Sequence, residues 1–131
     1  MEQQNKRLNI TVSDGTWVDI FVYGTLLPGE CNHRYLANSV FVADDAVEDA
    51  ELFDEGSYPL LRPGTGTVYG KLYRVPKVNL AVLDELEEHP DFFYRCLMRL
   101  ASDRIAWVYV GPEDYAKRFP KILGGCWWRR V

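Results

Sequence analysis

Four consecutive residues, Tyr23-Gly24-Thr25-Leu26, and one distant acid, Glu87, have the types and placement that could do chemistry. The apolar run Val18 to Tyr23 reads as a buried β-strand. It stops on a glycine followed by a small hydroxyl residue. Glycine lets the backbone turn sharply and leaves its N–H groups unshielded. Successive free N–H groups form a concavity that binds anions. The turn is therefore expected to cradle a carboxylate or an oxyanion, and such a cradle needs an acid/base partner to do more than bind.

The partner is sought on a second element. Pro76 breaks a strand and suits the first turn of a helix. Lys77 to Glu88 is mostly good helix formers, and His89-Pro90 ends the run. At about 100° per residue, Val78, Val82, Leu83 and Leu86 share one face, with Leu80 at its edge. Glu87 falls between Leu80 and Leu83 and borders this face, while Asp84, Glu85 and Glu88 fall opposite. One acid of four thus points toward apolar surroundings, where partial desolvation raises a carboxyl pKa. A general acid or base working near neutrality needs that shift. On the wheel alone the plainer reading, a boundary residue paired with a Lys or Arg, is the stronger, because acidic helix faces are usually solvated.

The rest of the chain reads as a frame for these two elements. Leu27-Pro28-Gly29-Glu30 is a turn, and Asn32 to Asn38 a short helix capped by Asn32. Ser39 to Phe53 reads as one or two strands, Pro63-Gly64-Thr65-Gly66 as a strong turn, and Thr67 to Val75 as a clear strand. Phe92 to Leu100 and Ile105 to Val110 form a hairpin around Ala101-Ser102-Asp103. Pro112 to Phe119 is a short helix, and the aromatic tail from Ile122 packs back on the body. Met1 to about Gly15 is a polar extension that either frays or adds an edge strand. About six strands and a few short helices indicate an α+β fold, with a sheet that curls toward a barrel.

Composition narrows the function classes. The 131 residues make one domain, 1–131, with 47% hydrophobic and 26% charged residues and a formal charge of −4. There is no basic stripe for nucleic acid and no apolar run of the ~18 residues that span a membrane. The first residues lack the apolar core of a signal peptide. Three separated cysteines and two histidines offer no zinc set, and a reducing, cytoplasmic setting follows. No coiled-coil pattern is present, so a monomer is the default expectation. Eighteen aromatic residues (four Trp, eight Tyr, six Phe) suit a β-rich core or the walls of a small-molecule cleft.

Three segments carry a resemblance to a known family. Tyr23-Gly24-Thr25-Leu26, continued by Gly29, Asn32, His33, Arg34 and Leu36, resembles the YG[ST]L signature of the γ-glutamylcyclotransferase-like family, closest to its γ-glutamylamine cyclotransferase (AIG2-like) branch. Leu83-Asp84-Glu85-Leu86-Glu87, with Pro90, Tyr94 and Arg95 following, is similar to the family's LDxxE…P…YxR block. Val68-Tyr69-Gly70-Lys71-Leu72-Tyr73 is similar to its V-x-G-x-hydrophobic-Y strand. The resemblance runs from about Ile20 to Val110. It implies a small mixed β-barrel flanked by helices, with the active site in a cavity at one side. It implies that Gly24, Thr25 and Leu26 hold a substrate carboxylate, that Tyr23 lines the cradle, that Tyr94 flanks the pocket, and that Glu87 is the acid/base residue. Many members have Gly directly after the catalytic Glu; here it is Glu88, which the wheel points outward.

The reaction so implied converts a small-molecule γ-glutamyl amine or amino acid to 5-oxoproline by attack of its own α-amino group, with no metal or cofactor. The alternative is a non-catalytic module on the same fold, binding a small acidic ligand or a protein. Several residues are weighed against plainer roles. His33 fits a helix surface better than contact with a leaving group. Cys31 with His33 lacks an orienting third group for a thiol nucleophile. Tyr94 is core or pocket wall. Trp127-Trp128 is packing rather than a platform, and Tyr58-Pro59 is a minor candidate near the pocket.

Overall fold

The computed structural model describes residues 16–129. The expectation for the polar extension, residues 1–15, lies outside the described residues. Five strands are found among the described residues: β1 (Trp17–Val22), β2 (Val40–Asp54), β3 (Pro59–Pro76), β4 (Tyr94–Arg99) and β5 (Ile105–Val110). They form one sheet in the order β2-β3-β1-β5-β4. β1 and β5 run parallel, with Ile20 opposite Trp107, and the other neighbours are antiparallel. The sheet is therefore mixed, and it curls into a half-barrel.

β1 is central, and both of its faces are covered. Phe21 and Tyr23 join one apolar cluster with Leu72, Val108, Val110 and Trp127. Ile20 and Val22 join a second with Leu60, Val75, Leu83 and Tyr109. A strand buried on both faces reads as a continuous apolar run rather than an alternating one, which is how Ile20 to Tyr23 reads.

β2 is a single strand of 15 residues and β3 one of 18. The turn expected at Pro63–Gly66 is instead a bulge inside β3. Ala50 stands opposite both Pro63 and Gly66, so the intervening residues loop out without ending the ladder. The Glu51 carboxylate fills the bulge, accepting from the Thr65 N–H at 3.4 Å and from Lys121 at 3.3 Å. Breaker residues in a strand can mark a bulge as well as an end.

The helical segment is shorter than its sequence suggests. Lys77–Asn79 is a 3₁₀ turn, and only α1 (Leu80–Glu87) is α-helical. Val78, expected in the buried face, sits in the 3₁₀ turn, whose pitch takes it out of phase with α1, and is 82% exposed; Val82, also expected there, is 46% exposed at the edge of the helix's inward side. The inward line is Leu80, Leu83, Asp84 and Glu87, an i, i+3, i+4, i+7 set with Leu83 fully buried. Glu88 ends the helix in the left-handed region at φ 59°. The His89 N–H bonds the Asp84 carbonyl and the Glu88 N–H bonds the Glu85 carbonyl, a Schellman closure. α2 (Glu113–Ala116) is a single turn. The tail packs back as expected: Trp127 is 1% exposed and donates to Glu30 Oε1 at 3.0 Å, while Trp128 is on the surface.

Candidate active site

β1 delivers the turn. After Val22 the chain leaves the ladder, and Tyr23 to Leu27 bend over the end of the sheet. The Leu27 N–H closes the bend on the Gly24 carbonyl at 3.0 Å. The N–H groups of Gly24, Thr25 and Leu26 donate to nothing among the described residues. A Cβ at position 24 would lie 2.7 Å from Pro59 Cδ and Cγ, so only glycine lets the turn approach the β2–β3 hairpin.

Two residues that follow the turn hold it in shape. Asn32 Nδ2 donates to Thr25 Oγ1 at 3.0 Å, and the Asn32 N–H bonds the Thr25 carbonyl at 2.9 Å. Asn32 was expected as a helix cap; the segment forms only a 3₁₀ turn, His33–Leu36, and the side chain braces Thr25 instead of capping it. His33 Nδ1 lies 2.8 Å from the Leu26 carbonyl, which can only accept, so Nδ1 carries the proton. That bond occupies His33 in the scaffold rather than with Cys31.

α1 delivers the carboxylates. Glu87 is half-buried, and no described side chain pairs with it. Burial raises its pKa to about 7. Asp84, three residues earlier, goes the other way. Burial alone would raise it, but donors outweigh this and hold it below the usual range: Arg95 Nε at 2.8 Å, a second Arg95 nitrogen at 3.1 Å and the Tyr109 hydroxyl at 2.7 Å. The wheel placed Asp84 outward. β4 and β5 instead run past its side of the helix and supply Arg95 and Tyr109. Two carboxyls whose environments push them apart are the pattern of a structural anion beside an acid/base residue. The phenols of Tyr23 and Tyr109 are raised first by burial, and the charge of Glu87 adds to this, so both stay neutral donors.

The turn and the acid meet. Gly24, Thr25, Leu26, Tyr23 and Glu87 line one cavity of about 290 Å³. Tyr109, Asn32, Cys31 and the aromatic residues Tyr58, Phe92 and Phe93 complete its walls. The Phe92 and Phe93 N–H groups bond the Glu88 and Glu87 carbonyls, at 2.8 and 3.2 Å, and this ties the aromatic wall to the end of α1. The Tyr23 hydroxyl is used within the protein: it donates to the Tyr109 carbonyl and accepts from the Leu61 N–H. Tyr94 is a correction. It alternates to the opposite side of β4, packs on the cluster around Trp127, and its hydroxyl accepts from Arg62 at 2.8 Å. Glu88, placed outward by the wheel, is exposed but lines the mouth because its left-handed backbone swings it round. A larger groove along Asp44, Lys71, Lys121 and Trp128 contains neither the turn at Gly24–Leu26 nor Glu87. Asn32 and Tyr109 escape sequence reading; an i, i+4, i+7 count from Leu80 draws attention to Asp84 and Glu87 together.

Known proteins resemble this chain in sequence and in fold. Residues 20–129 match the family model described as gamma-glutamyl cyclotransferase, AIG2-like. The sequence is 35% identical over 91 residues to the gamma-glutamylcyclotransferase family protein YtfP of Escherichia coli K12, across 70% of this chain and 80% of that one. It is 39% identical over 106 residues to the gamma-L-glutamyl-butirosin B gamma-glutamyl cyclotransferase of Niallia circulans, across 73% of this chain and 68% of that one. The solution structure of ytfP from Escherichia coli aligns with a TM-score of 0.67 at 33% identity, covering 85% of this chain and 96% of that one.

Proposed function

The chain belongs to the gamma-glutamyl cyclotransferase, AIG2-like family, and on that premise we propose that it converts a γ-glutamyl amide to 5-oxoproline and a free amine, with Glu87 as the acid/base. The observation that carries this reading is the shared cavity: a partly desolvated carboxyl, unpaired among the described residues, faces the same space as the turn whose N–H groups have no acceptor among those residues.

The substrate's α-carboxylate would sit on the N–H groups of Gly24, Thr25 and Leu26. The Thr25 hydroxyl, already accepting from Asn32, keeps its own proton to donate. The α-amino group arrives as an ammonium and cannot attack. Glu87, ionised, takes one proton from it. The nitrogen then attacks the γ-carbonyl and a C–N bond closes the five-membered ring. The bond to the leaving amine breaks as Glu87 returns the proton to that nitrogen, and the ring nitrogen gives up its second proton through the same carboxylate, so that the lactam is neutral and the amine departs as an ammonium. A pKa of about 7 suits both steps, since the group must accept and then give within one cycle near neutrality. Holding the chain curled supplies an entropic advantage, with effective molarities of order 10⁵ M or more for well-oriented internal attack.

The test is 5-oxoproline release from a panel of γ-glutamyl compounds by wild type and Glu87→Gln. Wild type is expected to turn over at least one compound, with kcat/KM rising through about pH 7 as Glu87 ionises. The variant is expected to bind that compound and lose about 10²–10⁴-fold in kcat. Binding without product from wild type would instead indicate a module that only recognises such ligands.

A further inference from the structure

We propose that Asn32 is a second catalytic residue, whose free side-chain N–H donates to the γ-carbonyl oxygen as that oxygen becomes an oxyanion. This rests on the cyclotransferase reading of the same cavity and adds the electrophilic half of the reaction, which Glu87 does not supply.

Ring closure makes the γ-carbon tetrahedral, and the electron pair of its C=O bond moves onto oxygen. The pair returns when the bond to the leaving amine breaks. A fixed donor at that oxygen is worth more in the transition state than in the ground state. Few side-chain donors of the cavity are free for this. No Lys, Arg or His lines it among the described residues. The Tyr23 hydroxyl donates to the Tyr109 carbonyl, and the Tyr109 hydroxyl donates to Asp84. The Tyr58 hydroxyl is engaged with Tyr115. Ser57 is exposed in the β2–β3 turn, and the Cys31 thiol is a weak donor. The N–H groups of Gly24–Leu26 are taken by the α-carboxylate in this reading.

Asn32 remains. It lines the cavity, and its side-chain amide carries two N–H groups. One is used on Thr25 Oγ1 at 3.0 Å; the other has no acceptor among the described residues. The residue is held at both ends by one partner, since its backbone N–H bonds the Thr25 carbonyl at 2.9 Å. Thr25 belongs to the turn that seats the α-carboxylate, so Asn32 is tied to the frame that positions the substrate. A donor fixed in this way needs little reorganisation as charge develops. Its neutrality also suits the site. A cation beside Glu87 would lower its pKa, whereas an amide leaves it at about 7.

The test compares oxygen with sulfur at the reacting carbonyl. The panel compound with the highest kcat/KM and its γ-thioamide are assayed by release of the amine, which leaves 5-oxoproline from one and the thiolactam from the other. Sulfur accepts hydrogen bonds poorly, so the oxygen-to-sulfur ratio in kcat reports the donor. Asn32→Ala is expected to lose about 10²–10³-fold in kcat on the oxygen compound, to lose far less on the thioamide, and so to collapse the ratio. Asn32→Asp keeps the size and an oxygen for the Thr25 hydroxyl to donate to, but has no N–H, and is expected to collapse it too. Thr25→Val removes the brace and keeps the amide; it is expected to raise KM and leave the ratio near that of wild type. A ratio unchanged in both Asn32 variants would overturn the proposal, because a purely structural role slows both compounds alike. A ratio lost in Thr25→Val as fully as in Asn32→Ala would overturn it in favour of the Thr25 hydroxyl. Failure of wild type to release 5-oxoproline from any panel compound would overturn the cyclotransferase reading itself.

Discussion

At the scale of single residues, the site turns on two carboxyls of one helix with opposite environments. Glu87 is desolvated with no partner among the described residues, so its folded pKa, about 7, lies above that of an exposed Glu, about 4.3. The folded state therefore holds this proton over a range where the unfolded chain has released it. Stability linked to Glu87 is complete below about pH 4 and is lost as pH rises through about 7. Removing the charge should then help the fold where the charge is costly. Glu87→Gln is expected to be more stable than wild type by on the order of 2 kcal/mol at pH 8.5, with the difference vanishing near pH 4. Denaturant titrations at the two pH values measure it. A variant less stable at pH 8.5 would mean that Glu87 has a stabilising partner. A gain in stability bought with lost turnover is the usual signature of a residue kept for function.

Asp84 gives the opposite sign at the scale of elements, because it locks α1 to β4 and β5. Burial would raise it, but the Arg95 and Tyr109 bonds prevail and lower it. Its contribution is present at neutral pH and is lost as pH falls below the ordinary Asp range, about 4. Asp84→Asn is expected to cost about 1–3 kcal/mol at pH 7. The cost should fade toward pH 3, as followed by thermal melts. The end of α1 offers a second test. Glu88 sits at φ 59°, where a side chain is strained and glycine is not. Glu88→Gly is expected to be more stable than Glu88→Ala by about 1 kcal/mol, since only the former relieves the backbone. Equal stability of the two would show that the left-handed cap carries no strain. The position after Glu87 thus has a backbone reason to favour glycine.

Across the whole molecule, the site is made by bringing the ends of distant elements together. The parallel pairing of β1 with β5 sets Tyr109 beside the turn that ends β1, and the β2–β3 hairpin brings Pro59 against Gly24. Much of this was legible in the sequence. The strand ending at Gly24 shows as an apolar run stopped by glycine, and Glu87 shows as an acid bordering an apolar face. The hairpin at Ala101–Asp103 and the returning tail follow from turn chemistry and aromatic content. What was not legible depends on neighbours that no local pattern contains. The wheel cannot know that Arg95 and Tyr109 will stand beside Asp84, nor that a 3₁₀ turn shifts Val78 into solvent. Strand alternation could have sent Tyr94 to either face; the register of β4 against β5, with Tyr94 opposite Val110, sends it to the Trp127 side. Asn32 looked like a cap because its type suits one, and only the turn's approach reveals Thr25 as its partner.

The central claim is that one bound substrate touches both the turn and the helix acid. The most direct measurement is a crystal structure of Glu87→Gln with an intact γ-glutamyl amide. The α-carboxylate is expected within about 3.2 Å of N–H groups in Gly24–Leu26 and the α-nitrogen within hydrogen-bond reach of residue 87. A ligand with its carboxylate bound away from that turn, or seated in the groove beside Trp128, would contradict it.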